Sequence, residues 1–240
     1  MASARSLTAS LIIPALNEER TIAGVVEPAI ASGAFKEIIL VDDGSRDRTA
    51  EAFRQAAERA KASATPGTVL PHFRVVEHAR TMGKAAGMRD GIQTATGDIL
   101  MFLDGDLLGL TSAHIHAMLA PILEGGKYRA TLGVFTGGRA ATTMAQKIAP
   151  FISGQRACYK SDLEHFRGWE HVGFGVETAL NRYFQEQGIF VRVVELPGLS
   201  QRMKEEKRGF VRGFAARMKM YWEILRTWVV SKFTRFSGGQ

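Results

Sequence analysis

The sequence has a single cysteine, Cys158, among its 240 residues. One cysteine excludes an internal disulfide and a thiolate metal cluster, and it is typical of a reducing compartment. Residues 1–7 lack the cationic and apolar segments of a secretory signal. No run approaches the roughly 18 consecutive apolar residues of a membrane-spanning helix. We therefore expect a cytoplasmic protein.

Net positive charge is concentrated at the end of the chain. The formal net charge is +7, and nine Lys or Arg against three Glu give residues 204–240 a net +6. Residues 1–203 therefore carry only about +1, without the basic stripe or aromatic reading module that binds nucleic acid. The six histidines show no H-E-x-x-H zinc spacing, and no Ser-His-Asp or Cys-His arrangement is evident. We expect no nucleic-acid partner.

Apolar runs and helical segments alternate through residues 7–124. The apolar runs predict strands over 7–13, 37–41, 73–77 and 99–103, and the segments after them predict helices over 17–32, 48–62, 83–95 and 112–124. Further strands are expected over 131–135 and 190–194, with a helix over 177–187. This alternation is typical of an α/β fold with a mostly parallel central sheet and helices on both faces. Ligands of such sheets bind beyond the carboxyl ends of the strands.

Helix starts are predicted from residues that cap well. We expect Asn17 to cap the first helix, with Glu18 and Glu19 in its first turn, where the helix dipole favours negative charge. Thr111 or Ser112 is expected to cap the helix after the fourth strand.

Two carboxylates follow the most apolar of these strands. Asp104 and Asp106 flank Gly105 directly after the run 99–103. In an extended segment, side chains two positions apart project to the same side, so both carboxylates can reach one cation. Hard oxygen ligands suit Mg²⁺ or Mn²⁺, which bind one or two carboxylates together with substrate phosphates. The alternative is that both aspartates only cap the following turn.

Lys84 follows Gly83 at the start of a predicted helix. The spacing fits neither a Walker loop nor the G-x-G-x-x-G pattern. A lysine at a helix start can still meet an anion, and a solvated lysine without a ligand is the alternative.

Four motifs in succession, over 14–18, 42–49, 83–84 and 104–106, resemble the nucleotide-sugar half of the family 2 glycosyltransferases. The resemblance covers about residues 7–110 and implies a GT-A (Rossmann-like) fold. It implies one domain over 1–203, with a nucleotide-sugar half over 1–110 and an acceptor half over 111–203. Asp104 would lie near the ribose and the metal, and Asp106 would be the direct metal ligand and part of the catalytic machinery. The implied nucleotide-sugar contacts are Pro14, Ala15, Leu16, Asn17, Glu18, Asp42, Asp43, Lys84, Asp104, Gly105 and Asp106.

Three segments of the second half, over 137–139, 153–157 and 173–177, are similar to those of short bacterial enzymes such as the glucosyl-3-phosphoglycerate synthases. This similarity implies that Arg139, Gln155 and Arg156 contact the acceptor. It also implies that Glu177 contacts a hydroxyl of the sugar or acceptor, or acts as a general base if the reaction inverts the anomeric centre. The alternative for Glu177 is a carboxylate stabilised by the dipole at a helix start.

Gln201 departs from the pattern of the resembling enzymes. They usually carry a histidine there as a further metal ligand within a His-Arg pair, whereas this chain has Gln201-Arg202. Glutamine is a weaker, neutral oxygen ligand, so we expect Gln201 or a water molecule to complete the metal site with Asp104 and Asp106.

Residues 204–240 form a basic tail with apolar residues at a three-to-four spacing, from Phe210 to Phe236. A basic amphipathic helix with aromatic residues is typical of an interfacial membrane anchor. The alternative is a helix that packs its apolar stripe on the domain. If it is an anchor, the protein would be peripheral on the inner face of the membrane.

The resemblance implies a metal-dependent glycosyltransferase, a hexosyltransferase of the family 2-like type. The enzyme would move a hexose from a nucleoside-diphosphate sugar to a phosphorylated, carboxylated or lipid-phosphate acceptor, with Mg²⁺ or Mn²⁺ as cofactor. A second copy of the chain is a candidate partner. Two alternatives stay open: a non-catalytic nucleotide-sugar-binding protein, and a haloacid dehalogenase-type phosphatase. The phosphatase expects a hydroxyl residue two positions after its second Asp, where this chain has Leu108.

Overall fold

The structure is a computed structural model, and it describes residues 7–136, 153–169 and 175–201. The helices in these ranges are α1 (Ile22–Ala31), α2 (Thr49–Ser63), α3 (Lys84–Thr94), α4 (Ser112–Leu123) and α5 (Val176–Glu186). The strands are β1 (Ala9–Ala15), β2 (Phe35–Asp42), β3 (His72–Glu77), β4 (Ile99–Phe102), β5 (Leu107–Leu108), β6 (Tyr128–Thr136), β7 (Arg156–Tyr159), β8 (Phe190–Pro197) and β9 (Ser200–Gln201).

Within the described residues, seven of the strands form one sheet in the order β3-β2-β1-β4-β7-β6-β8. The first four of these are parallel to one another, and β6 is parallel to β8. Strand β7 lies between the two groups and runs antiparallel to both β4 and β6. The predicted α/β fold with a mostly parallel sheet is therefore confirmed. The sequence did not predict β7, because its four residues include Arg156 and lack the apolar run of a buried strand.

Helices cover both faces of the sheet, and the strand residues are divided between the two faces. Leu11, Ile13 and Leu40 pack with buried residues of α1, α2 and α4. Ile12 and Ile39 pack with buried residues of α3 and α5. Because successive strand side chains point to opposite faces, burial on both sides favours apolar residues at most positions, and this explains the continuous apolar runs.

The predicted cap of the first helix is wrong. Helix α1 begins at Ile22 after Thr21, and its first turn holds no acidic residue. Asn17 has a left-handed backbone with φ of 59°, and its Oδ1 accepts a hydrogen bond of 2.8 Å from the backbone N–H of Arg46. Asn17 therefore joins two loops instead of starting a helix. The predicted cap at Thr111 is confirmed, since its side chain accepts from the backbone N–H of His114 in a reciprocal capping box.

A small sheet that the sequence did not predict follows β4. Strands β5 and β9 pair antiparallel, with Leu107 opposite Gln201 and Leu108 opposite Ser200. Each strand is two residues long, which is too short for a periodic pattern to reveal. The tail over 204–240 lies outside the described residues. None of the helices described is both long and apolar enough to cross a membrane.

Candidate functional site

The candidate site lies where the carboxyl ends of β1, β2 and β4 meet. Ala15 at the end of β1 is paired with Asp42 at the end of β2, and β4 on the other side ends just before Asp104. A Cβ on Gly105 would lie 3.0 Å from the Cβ of Ala15. Only a residue without a side chain lets the acidic segment approach the end of β1 this closely.

Asp104 is the residue on which most of the site's hydrogen bonds converge. The Nζ of Lys84 lies 2.5 Å from its Oδ1, and the amide groups of Gln155 and Gln201 donate to its Oδ2 at 3.1 and 2.5 Å. The backbone N–H of Asp104 in turn donates to Gln155 Oε1 at 3.1 Å. Burial alone would raise the pKa of Asp104, but Lys84 and the two amide donors lower it, so the carboxylate stays ionised.

The small sheet explains how Gln201 reaches this carboxylate from 97 positions away in the chain. Pairing of β5 with β9 sets Gln201 opposite Leu107, the residue directly after Asp106. The role of Gln201 as a metal ligand stays a prediction. In the structure its amide group donates to Asp104.

Lys84 bridges the two halves of the site. It is the first residue of α3, and its Nζ lies 2.5 Å from Asp104 Oδ1 and 2.7 Å from Glu177 Oε1. Burial alone would lower the pKa of Lys84, but the charges of Asp104 and Glu177 raise it, so the ammonium group stays charged. Glu177 lies in the first turn of α5. Burial would raise its pKa, but Lys84 holds it below the ordinary value.

Arg156 is a second cation beside this pair. It is 1% exposed, its Nη2 donates to the carbonyl oxygen of Ser153 at 3.1 Å, and its buried Nε has no hydrogen-bond partner within the described residues. Burial lowers the pKa of the guanidinium group, while the charges of Glu177 and Asp104 act in the opposite direction. The site thus holds two cations against the carboxylates of Asp104 and Glu177.

The acidic pair does not lie in a strand as predicted. Strand β4 ends at Phe102, and Gly105 and Asp106 form a turn. The prediction that an extended backbone aligns the two carboxylates is therefore wrong. Both residues are half-buried.

The donor set of this turn fits a hard divalent ion. Within the described ranges, no group of three or more His, Cys, Asp or Glu side chains is arranged to hold a metal. The neighbouring oxygen ligands are the carboxylates of Asp104 and Asp106 and the amide of Gln201. Mg²⁺ and Mn²⁺ accept such a small set, because phosphates and water fill their remaining positions. The site chemistry is therefore compatible with the predicted cofactors.

Residues 14–18, which are among the implied nucleotide-sugar contacts, connect the end of β1 to the loop after β2. The backbone N–H of Asn17 donates to Ser45 Oγ at 2.9 Å, and that of Glu18 donates to Thr49 Oγ1 at 2.8 Å. Pro14 and Ala15 end β1, and Leu16 is half-buried beside them. This segment and the loop after β2 therefore form one wall of the site.

Asp42, the last residue of β2, and Asp43 after it both accept hydrogen bonds from protein groups. Asp42 Oδ1 accepts from the backbone N–H of Ser45 at 2.8 Å. Asp43 accepts from the backbone N–H groups of Met82 and Gly83 and contacts the ring of His78. His78 was not among the predicted site residues, although it is a polar residue directly after a strand of the parallel sheet, as Asp43 is. The predicted acceptor residue Arg139 lies outside the described residues.

Comparison with known proteins agrees with this geometry. The model of glycosyl transferase family 2 matches residues 10–187. Dodecaprenyl-phosphate galacturonate synthase of Rhizobium johnstonii is 38% identical over 107 residues, which are 43% of this chain and 29% of that protein. Glucosyl-3-phosphoglycerate synthase of Mycolicibacterium smegmatis is 30% identical over 181 residues, which are 69% of this chain and 56% of that protein. The chain thus spans less than two thirds of the length of either relative.

A solved structure has the same fold. Glucosyl-3-phosphoglycerate synthase from Mycobacterium tuberculosis, in complex with Mn²⁺, uridine diphosphate and phosphoglyceric acid, superposes with a TM-score of 0.63 at 24% identity. The superposition covers 82% of this chain and 71% of that one. Because the family model matches residues 10–187, the chain belongs to glycosyl transferase family 2, and it has the GT-A fold.

Proposed function

We propose that this glycosyltransferase moves a hexose from a nucleoside-diphosphate sugar to a phosphorylated, carboxylated or lipid-phosphate acceptor, with Mg²⁺ or Mn²⁺ bound. The observation that carries the proposal is the meeting of Asp104, Lys84 and Glu177 at the carboxyl edge of the sheet, where the Lys84 ammonium group lies 2.5 Å from Asp104 and 2.7 Å from Glu177. The three residues come from three separate motifs, so their convergence supports a single reaction site.

The names of the relatives support an acceptor that carries phosphate. One relative is named for a sugar on phosphoglycerate and the other for a sugar on dodecaprenyl phosphate. The superposed structure contains Mn²⁺, uridine diphosphate and phosphoglyceric acid together. We infer the same classes of donor, metal and acceptor for this chain.

Asp104, Asp106 and Gln201 would hold the metal ion, which when bound neutralises negative charge on the diphosphate leaving group. Lys84 supplies a second positive charge at the same place. Its amine stays protonated beside Asp104 and Glu177, so it can meet the diphosphate without first taking up a proton. Asp104 keeps its negative charge because Lys84 and two amide groups stabilise it.

Glu177 fits the role of a hydrogen-bond acceptor for a hydroxyl of the sugar or the acceptor. Its pKa is held below the ordinary value by Lys84, whereas an efficient general base has a pKa near the working pH. Catalysis by Glu177 as a base in an inverting reaction would require Lys84 to leave it first. Arg156 would act on an anionic acceptor through its charge, because its buried side chain offers no contact surface.

A ligand screen followed by calorimetry tests this proposal. UDP-, GDP- and ADP-sugars are screened by thermal shift with Mn²⁺, since a ligand that binds the native state raises its unfolding temperature. The matching nucleoside diphosphate is then titrated with and without Mn²⁺ into the parent, Asp106→Asn and the control Glu58→Gln, an exposed residue of α2. We expect metal-dependent binding in the parent and in the control and its loss in Asp106→Asn. Absence of metal-dependent binding in the parent would refute the proposal, and binding without release of free nucleotide from the donor would favour the non-catalytic alternative.

We also propose a cytoplasmic enzyme of two parts, a catalytic domain over 1–203 and a basic helical tail over 204–240 that binds the inner face of the membrane. The charge and apolar spacing of the tail support this. The full chain should float with liposomes that contain anionic lipid, whereas a chain that ends at residue 208 should not. Equal flotation of both would rule out the anchor.

We also propose that the chain forms a homodimer, which sedimentation at several protein concentrations tests.

A further inference from the structure

His78 lies directly after β3, with its ring between two carboxylates. Its Nδ1 is 2.8 Å from Asp43 Oδ1, and its Nε2 is 3.0 Å from Asp90 Oδ2. The side chains of His78 and Asp43 are 6% and 8% exposed, so water has little access to the ring. Three elements meet at this point, because Asp43 follows β2, His78 follows β3 and Asp90 lies in α3.

Both carboxylates are already satisfied as acceptors. Asp43 Oδ1 accepts from the backbone N–H of Met82 at 2.7 Å, and its Oδ2 accepts from that of Gly83 at 2.8 Å. A proton on either oxygen would therefore face another donor. Asp90 also accepts from Arg89 Nε at 2.8 Å. Burial raises the pKa of Asp90, but Arg89 and His78 hold it below the ordinary value.

Each ring nitrogen therefore faces a carboxylate oxygen. An ionised carboxylate only accepts hydrogen bonds, and a neutral imidazole has one donor and one acceptor nitrogen. A ring that faces a carboxylate on each side satisfies both contacts only as an imidazolium cation. The resulting chain of alternating charges runs from Arg89 through Asp90 and His78 to Asp43.

Asp43 connects this ring to the start of α3. It accepts from Met82 and Gly83, the two residues immediately before Lys84. Gly83 caps α3 with φ of 96°, a conformation that glycine adopts without strain. The orientation of the Asp43 carboxylate therefore decides where α3 begins.

We propose that His78, as an imidazolium held between Asp43 and Asp90, is a positioning residue that fixes the first turn of α3 and thereby the reach of Lys84 into the site. Its kinetic consequence rests on the proposed function, in which Lys84 meets the donor diphosphate. Loss of His78 should weaken donor binding more than turnover, because Lys84 and the other site residues remain present.

Two variants test the contribution of the His78 ring and the contribution of its positive charge separately. His78→Ala removes both contacts, so that Asp43 Oδ1 keeps the backbone N–H of Met82 but loses its contact with the ring. Asp90→Asn keeps a hydrogen-bonding partner at the outer nitrogen while removing the need for the second ring proton. His116→Ala, at an exposed position of α4, is the matched control. Thermal unfolding of all three variants ensures that only folded protein is compared.

The structural readouts are the ring nitrogens and two backbone amides. By ¹⁵N NMR at pH 7.5 we expect both nitrogens of His78 to carry protons in the parent. Hydrogen exchange of the Met82 and Gly83 amides should be at least tenfold faster in His78→Ala and within threefold of the parent in Asp90→Asn and His116→Ala. An unprotonated ring nitrogen in the parent, or exchange at the parent rate in His78→Ala, would overturn the proposal.

The kinetic readout uses the donor identified by the ligand screen. His78→Ala should raise the donor KM at least fivefold with kcat within twofold of the parent, and Asp90→Asn should stay within twofold on both. A fall in kcat with an unchanged KM would overturn the proposed role. If the parent binds no nucleoside diphosphate, the proposed function fails, while the NMR and exchange results still decide whether His78 orders the start of α3.

Discussion

Replacing Gly154 by alanine tests whether activity requires Lys84 and Asp104 to stay in the positions that the structure shows. A Cβ on Gly154 would lie 2.5 Å from Lys84 Nζ and 2.6 and 2.8 Å from the two carboxylate oxygens of Asp104. Nonbonded atoms in comfortable contact lie about 3.5 Å apart, so the carboxylate would have to withdraw by roughly 0.7–0.9 Å. Lys84 can swing away at its flexible end, but Asp104 is held by Gln155 and Gln201 as well.

The expected loss follows from this displacement. A shift of about 1 Å at a reacting centre can reduce the rate about 100-fold, which corresponds to about 2.7 kcal/mol of transition-state stabilisation. We therefore expect kcat/KM of Gly154→Ala to fall by roughly 50- to 100-fold on this basis. The assay is Mn²⁺-dependent release of nucleoside diphosphate from the donor identified by the screen.

Gly24→Ala is the matched control. Gly24 is exposed in α1, and a Cβ there would have no atom within 4 Å. Its activity should equal that of the parent, and its helix should gain up to about 1 kcal/mol because alanine is the better helix former. If Gly154→Ala keeps more than a third of the parent kcat/KM, the conclusion that Asp104 must stay in place is wrong.

Two further predictions concern stability. Glu37 is 1% exposed and accepts from Ser10 and Thr96; burial raises its pKa, but these donors and Arg74 lower it. Glu37→Gln should therefore cost about 2 kcal/mol at pH 7 in urea unfolding. The stability that Glu37 contributes is present above the ordinary carboxyl pKa and is lost as the pH falls through the lowered pKa of the folded state. If Glu37→Gln loses as much stability at pH 3 as at pH 7, the assignment is wrong. Thr111→Ala should cost about 1 kcal/mol by removing the cap of α4, and unchanged urea unfolding would show that the capping box contributes nothing.

Local pattern was sufficient for the main architecture. The apolar runs that became β1, β2 and β4 are buried on both faces, so the preference for apolar residues at most positions was visible in the sequence. Strands and helices alternate because a parallel pair needs a crossover between its strands. The cap of α4 is also local, and it was predicted at Thr111 or Ser112 because both residue types cap helices well.

Contacts between distant residues were decided only by the tertiary structure. Asn17 is a residue type that often caps helices, but its hydrogen-bond partners are Ser45 and Arg46 in the loop after β2. No local pattern in the sequence predicts these contacts. Strands β5 and β9 are too short to show a period, yet their pairing brings Gln201 to Asp104 across 97 positions.

The sequence by itself predicted the residues proposed to carry the chemistry, namely the acidic pair at Asp104 and Asp106, Lys84 at a helix start and Glu177 at another. It could not determine that Lys84 is shared between Asp104 and Glu177. That contact depends on how α3 and α5 are both placed at one end of the sheet. The spacing of apolar residues in the sequence indicates which face of a helix or strand is buried. Whether charged groups from separate helices and strands meet depends on how those elements pack against one another.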